Sequence, residues 1–291
     1  MTVKGHITVF SFPGWGHVRS LVVLACRIVQ QRPDIGVTIL IVGDATKQAE
    51  EEVARFIPIG DPANENIRII GTLKGSDVMA LRIGTAAASL KAYELLSAQQ
   101  PITCVISGKI FQPWPKPKVV LTDIFLNVAH EVRSIDPAVT VLGWSPPNNS
   151  ASLRISGPEH LGGLGDIGAK AIIEAEKTGR SIEEIETEKI PMLEDMRAQF
   201  LKNTQRFVGA ADGIISPGTS AFEVESLTAW KKWQSERGKE FYIVGPLLPI
   251  DNETNASGML AKENEKASSD KGQEIEAFLE KALQERGEHS L

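Results

Sequence analysis

The sequence predicts an α/β fold built on a doubly wound, mostly parallel sheet with helices on both faces. Short apolar, β-branched runs recur along the chain, as strands buried on both sides require. Segments with apolar residues at helical spacing separate them, the alternation that builds parallel crossover units. The chain's 291 residues, 42% apolar and 23% charged, suffice to bury a core of that kind.

Taken in order, the runs that suit strands are His6 to Phe12, Val37 to Val42, Ile67 to Gly71, Ile102 to Ser107, Lys118 to Leu121, Val139 to Trp144, Gly213 to Ile215 and Phe241 to Val244. Between the first two, Val18, Leu21, Val22, Ala25, Ile28 and Val29 form an apolar stripe at helical spacing, with Arg19 and Arg27 off the stripe. An alanine-rich stripe of the same kind runs from Val78 to Leu96. Residues 108–118, with Pro113, Trp114, Pro115 and Pro117, are too rich in proline for a helix or a central strand. From Asp251 to Gly272 the chain turns polar, the composition of a flexible linker. Beyond it, Ile275, Phe278, Leu279, Ala282 and Leu283 mark a short amphipathic helix within 273–291.

Several classes of function are disfavoured by composition. A net charge of −6 argues against a nucleic-acid groove, which needs a basic surface. The two cysteines, Cys26 and Cys104, sit in apolar runs and read as small core residues. No stretch reaches the roughly 18 apolar residues of a membrane span, and the opening residues lack the pattern of a secretory signal. The sequons at Asn148, Asn252 and Asn255 therefore carry no weight, and a cytoplasmic protein is expected. No spacing of cysteine, histidine or carboxylate suggests a metal site.

The turn after the first strand, Phe12-Pro13-Gly14-Trp15-Gly16-His17, holds the densest chemistry. Ligands of open α/β sheets bind at the carboxyl ends of strands, and glycines allow a sharp turn and a close approach of backbone to ligand. As a dinucleotide fingerprint the turn fails, because Arg19 stands where the third glycine belongs. His17 opens the helix and could serve as a general base, or simply as a helix-start residue. A base needs an orienting partner, and Asp123 closes the run Val119-Val120-Leu121-Thr122 at another strand's carboxyl end. Asp123 could equally cap a helix beginning near Phe125. His6 reads as structural and His130 as packed or solvated. His160, the glycine loop 162–166 and Trp144-Ser145-Pro146-Pro147 could line a pocket, Trp144 as an aromatic wall.

Together these residues resemble the UDP-glycosyltransferases of the GT-B fold. Pro13-Gly14-Trp15-Gly16-His17 is similar to the family's opening turn, and Asp123 stands where its histidine-pairing aspartate follows a later strand. Gly213 to Ser216, Phe222-Glu223-Val224-Glu225 and Ile243-Val244-Gly245-Pro246-Leu247-Leu248-Pro249 are similar to the end of the family's first domain. Thr219 and Ser220 depart from the usual Asn-Ser or Asn-Thr.

The resemblance implies a Rossmann-like acceptor-binding domain over 1–250, followed by the linker and an inter-domain helix. The chain ends about where a second, donor-binding domain would start. It implies His17 as catalytic base and Asp123 as its partner, with Gly14, Trp15, Gly16, Met79 and Trp144 against a small, largely apolar acceptor. A UDP-sugar would be the co-substrate, held mainly by the second domain, with no cofactor and with inversion at the sugar. Two alternatives stay open: a non-catalytic ligand-binding module or subunit pairing with a separate donor-binding chain, and a nicotinamide-dependent oxidoreductase. Arg19 and the lack of a ribose-binding acid other than Asp44 disfavour the second.

Overall fold

Successive side chains of a strand point to opposite faces, and in the central strands both faces are apolar. Val9, Ile39, Ile41, Ile69 and Leu121 enter one buried cluster. Their chain neighbours Phe10, Leu40, Ile70 and Val120 enter the other. A computed structural model describes residues 3–161 except 44, 59, 76 and 77, residues 207–247 except 220, 222 and 246, and 163, 174, 175, 177–181, 184, 185, 204 and 206 between them. The linker expected at 251–272 and the helix expected at 273–291 lie outside the described residues, as do the side chains of 78–83.

Strands β1 (Gly5–Phe10), β2 (Ile35–Val42), β3 (Ile67–Leu73), β6 (Val119–Asp123), β7 (Thr140–Trp144), β8 (Gly213–Ser216) and β9 (Glu240–Ile243) form one sheet in the order β3-β2-β1-β6-β7-β8-β9. Every pairing in it is parallel. Helices α1 (Trp15–Gln31) and α2 (Ala45–Phe56) cover one face with Leu21, Val22, Val29, Ala49 and Val53. Helices α3 (Val78–Ser97), α4 (Ala129–Ile135), α5 (Asn149–Ser156) and α6 (Val224–Glu236) cover the other with Tyr93, Leu96, Val132, Leu153 and Trp230. This is the doubly wound parallel sheet that the sequence predicts. Each fully buried aliphatic side chain contributes about 1.5–3 kcal/mol, so the two-sided core is the main source of stability.

The run Ile102 to Ser107, expected as a strand of that sheet, is not one. It contributes β4 (Ile102–Thr103), which pairs antiparallel with β5 (Ile110–Phe111) in a separate two-stranded ribbon. The chain reverses between them through Gly108, whose φ of +74° is one that glycine adopts at little steric cost. Beside β3 only isolated bonds form: Val105 N–H donates to Gly71 O at 2.8 Å, and Gly71 N–H donates to the Cys104 sulfur at 3.2 Å. Both cysteines are free and buried, as expected of small core residues.

The proline-rich segment packs across the amino-terminal rim of the sheet, away from the strand ends that feed α1 and α4. Trp114 lies so close over Gly36 that a Cβ there would come within 2.7 Å of its ring. Arg68 of β3 stacks on Trp114, 3.3 Å from the ring centroid, and donates to Gln112 O. His6 joins the segment to the sheet. Its Nδ1–H donates to Pro115 O at 2.9 Å, which leaves Nε2 to accept from Thr38 Oγ1 at 2.8 Å. That pairing uses the neutral ring, and burial pushes the His6 pKa down to about 4, against the bond to Pro115.

A depressed histidine pKa makes the unfolded chain the better proton acceptor between its own pKa, near 6.5, and about 4. His6 therefore adds stability above pH 6.5 that is lost as pH falls towards 4, by up to about 3 kcal/mol. Thermal melts across this window should show the loss in the wild type. His6→Gln should flatten the slope, and equal slopes in the two proteins would show that His6 does not titrate as described.

Candidate active site

Strand β1 leads outward to β2 and β3 on one side, while β6 pairs with its other edge and begins the return. The crevice beyond the carboxyl ends of β1 and β6 is thus the topological switch point, where ligands of open α/β sheets bind. The last pairing of the two strands joins Phe10 to Thr122, so the segments leaving them emerge side by side. One enters α1 with His17 in its first turn; the other ends at Asp123.

Gly14 starts α1 in an extended conformation, and its carbonyl accepts from the N–H groups of His17 at 2.9 Å and Val18 at 3.0 Å. This sets the first turn and swings His17 over the end of β6. Asp123 is fully buried there. Its Oδ1 accepts from Phe125 N–H at 3.0 Å, capping a single 3-10 turn over Ile124–Leu126. Its Oδ2 lies 2.6 Å from His17 Nδ1. The capping role and the pairing role, alternatives in the sequence, coexist because a carboxylate has two oxygens.

Burial pushes the Asp123 carboxyl above the usual carboxylate range, while the bonds from His17 and from Phe125 N–H pull it back. An ionised carboxylate only accepts, so Nδ1 of His17 carries the proton and Nε2 keeps its lone pair. Nε2 has no hydrogen-bond partner among the described residues, and the His17 side chain is 22% exposed. A neutral imidazole held by a buried carboxylate, with its second nitrogen unbonded and the ring partly exposed, can remove a proton from a bound hydroxyl.

The glycines of the turn do not owe their place to a left-handed backbone. Neither Gly14 nor Gly16 has a positive φ, and at φ −179° Gly14 is ordinary extended backbone. A Cβ on Gly14 would touch His17 Cδ2 at 3.4 Å, an ordinary van der Waals contact, whereas one on Gly16 would meet nothing within 4 Å. Trp15 is partly buried against the core on the α1 face. Arg19, in the third-glycine place, pairs with the buried Glu52 of α2 at 2.8 Å. Met79 falls in the first turn of α3, and its side chain lies outside the described residues. Trp144 corrects the sequence reading: at 0% exposure its ring belongs to the core beside Leu121, and it cannot form an acceptor wall. As a β7 residue paired with Asp123, it points into a face that α1 covers. His130 and His160 are exposed.

Two residues of the site escape sequence reasoning. Phe12 and Phe125 pack their rings against His17, with centroids at 5.1 Å and 5.4 Å. Their chain positions beside the histidine turn and beside Asp123 were visible, but not the direction of their rings. On the same rim, Glu223 accepts from the N–H groups of Asn149 at 2.8 Å and Ser150 at 2.9 Å, closing the start of α5. Burial pushes the Glu223 carboxyl up, and those N–H groups outweigh it and hold it below the ordinary range. Among the described residues no cluster of three or more side chains could hold a metal, and no helix is long and apolar enough to cross a membrane.

No protein-family model matches the sequence, and no curated protein is similar to it at the level of sequence. Solved structures do match the fold, and they are UDP-glycosyltransferases. A UGT transferase from Siraitia grosvenorii in complex with UDP superposes with a TM-score of 0.60 at 16% identity, over 90% of this chain and 55% of its own. Phytolacca americana UGT2, complexed with UDP-2fluoro-glucose and pterostilbene, gives 0.53 at 16% identity, over 85% and 55%. Arabidopsis thaliana UGT89C1 complexed with UDP gives 0.51 at 16% identity, over 89% and 54%. What the likeness defines is the fold: this chain shares the Rossmann-like α/β fold of about half of each of these glycosyltransferases. This chain spans little more than half the length of those it matches.

The space at Gly16 has a measurable consequence. Glycine within a helix costs up to about 1 kcal/mol relative to alanine, and an added Cβ at Gly16 meets no atom. Gly16→Ala should leave the denaturation midpoint unchanged or raise it. A clear drop would mean that the turn is tighter than described.

Proposed function

We propose that this chain supplies the acceptor-binding and catalytic-base half of an inverting, UDP-sugar-dependent glycosyltransferase acting on a hydroxyl of a small, largely apolar acceptor. The observation that carries the reading is the 2.6 Å contact of His17 Nδ1 with buried Asp123 at the switch point. The fold shared with UDP-bound glycosyltransferases supports it.

In this reading residues 1–250 form the acceptor domain, 251–272 a linker and 273–291 a bridging helix, and a second domain holds most of the UDP-sugar. The acceptor lies against Gly14, Trp15, Gly16 and Met79, with its hydroxyl at Nε2 of His17. As the acceptor oxygen attacks the anomeric carbon from the face opposite UDP, its proton passes to Nε2. The glycosidic bond forms, the bond to the UDP oxygen breaks, and the configuration inverts. Asp123 keeps the ring oriented and stabilises the imidazolium until its proton leaves. No cofactor or metal takes part.

Two measurements test the reading. In a transferase joining this chain to a donor-binding half, His17→Ala should lower kcat/KM by about 10²–10⁴. Asp123→Asn should cost less and leave the acceptor KM nearly unchanged. On the chain alone, calorimetry should give UDP an affinity no better than about millimolar, near −4 kcal/mol, while an apolar phenol shifts the ring signals of His17. A His17→Ala enzyme of undiminished rate would sink the assignment of the base, and micromolar UDP binding would move the donor site into this chain.

A further inference from the structure

We propose that Phe12 and Phe125 are positioning residues: their rings clamp the His17 imidazole in the one orientation that pairs Nδ1 with Asp123 and turns Nε2 outward. The proposal deepens the reading of His17 as a base and takes its chemical meaning from that reading.

The three rings form a closed triangle. Phe12 lies 5.1 Å from the His17 centroid at 47°, and Phe125 lies 5.4 Å away at 60°. The two phenylalanines meet each other edge-on, at 5.9 Å and 86°. Both are partly buried and anchored on the core of the α3 face. Each is also held by its backbone: Phe12 O accepts from Ser11 Oγ at 3.1 Å, and Phe125 N–H donates to Asp123 Oδ1. Phe125 thus touches both members of the pair, Asp123 through its N–H and His17 through its ring.

The clamp answers a definite conformational problem. The terminal torsion of histidine is broad and roughly two-fold. Turning the ring over would exchange Nδ1 for Cδ2 and break the 2.6 Å contact with Asp123. A single hydrogen bond resists this weakly once water can reach the carboxylate. Packed rings oppose the rotation sterically, and Asp123 itself is fully buried. The Cδ2 edge faces Gly14, where a methyl group in place of the glycine hydrogen would already sit at 3.4 Å. With Nδ1 on Asp123, Cδ2 against Gly14 and the phenylalanine rings beside the imidazole, the Nε2–Cε1 edge is the one left facing outward.

Nitrogen-15 NMR of the His17 ring in the 291-residue chain tests this without any turnover. The wild type should show the Nδ1–H tautomer alone, with an Nδ1 proton shifted far downfield and slow to exchange. The double variant Phe12→Leu/Phe125→Leu keeps apolar bulk but loses the flat rings. It should show mixed tautomers and an Nδ1 proton that exchanges about tenfold faster, with little change in melting temperature. Phe12→Tyr/Phe125→Tyr, which keeps both rings, should restore the wild-type signals. Wild-type tautomers already averaged, or leucine variants with unchanged signals, would overturn the clamp; the wild-type measurement stands even if the leucine variant does not fold. A clamp upheld by NMR, beside a His17→Ala transferase of full rate, would remove the catalytic reading and leave the positioning intact.

Discussion

Strand β1 is held between β2 and β6, and the register of those two pairings governs the rest of the molecule. Because β1 and β6 are parallel neighbours that lie far apart in sequence, the chain must cross the sheet between them. Both strands then release their carboxyl ends into one crevice. Pairing Phe10 with Thr122 places the histidine turn and the aspartate turn on the same rim. A slip of one residue would send Asp123 to the other face, since side chains alternate. The register is fixed by the core: Val9 and Leu121 must join one cluster while Phe10 and Val120 join the other.

On this frame a single buried carboxylate ties backbone to side chain. Burying Asp123 is unfavourable in itself, and it is offset by two bonds, one to Phe125 N–H and one to His17. The first closes the turn that leaves β6, and the second spans the switch point to the start of α1. A comparable arrangement holds the next part of the rim. Glu223 closes the start of α5, Ser216 Oγ donates to Asn149 Oδ1 at 2.8 Å, and Trp230 Nε1–H donates to Asn149 O at 3.0 Å. Polar groups at the carboxyl rim are thus locked by one another, which fixes the orientation of their side chains.

The two rims of the sheet divide the work. The amino-terminal rim is covered by the proline-rich segment, where His6, Arg68 and Trp114 are consumed in packing and hydrogen bonds. The carboxyl rim keeps His17 partly exposed, with a nitrogen free of partners among the described residues. A buried neutral histidine and a part-exposed histidine paired with a carboxylate thus sit near opposite ends of β1. Their difference lies in surroundings, not in residue type.

The sequence by itself determined the layers of this protein. The β-branched runs and the stripe from Val18 to Val29 could form only buried strands and covering helices, because periodicity acts within a few residues and needs no distant partner. It also marked His17 and Asp123, since residues at the carboxyl ends of strands announce themselves by following an apolar run. Tertiary structure decided what depends on direction. Ile102 to Ser107 has the composition of a strand, yet a left-handed turn at Gly108 folds it into a separate ribbon. Trp144 follows the pattern of a pocket wall, yet its place in β7 turns it into the core under α1. The two oxygens of Asp123 could serve both a cap and a histidine only once β1 and β6 were side by side. Phe12 and Phe125 became neighbours of one imidazole for the same reason: contacts between residues so distant in the chain are set by strand order and register, which no local pattern encodes.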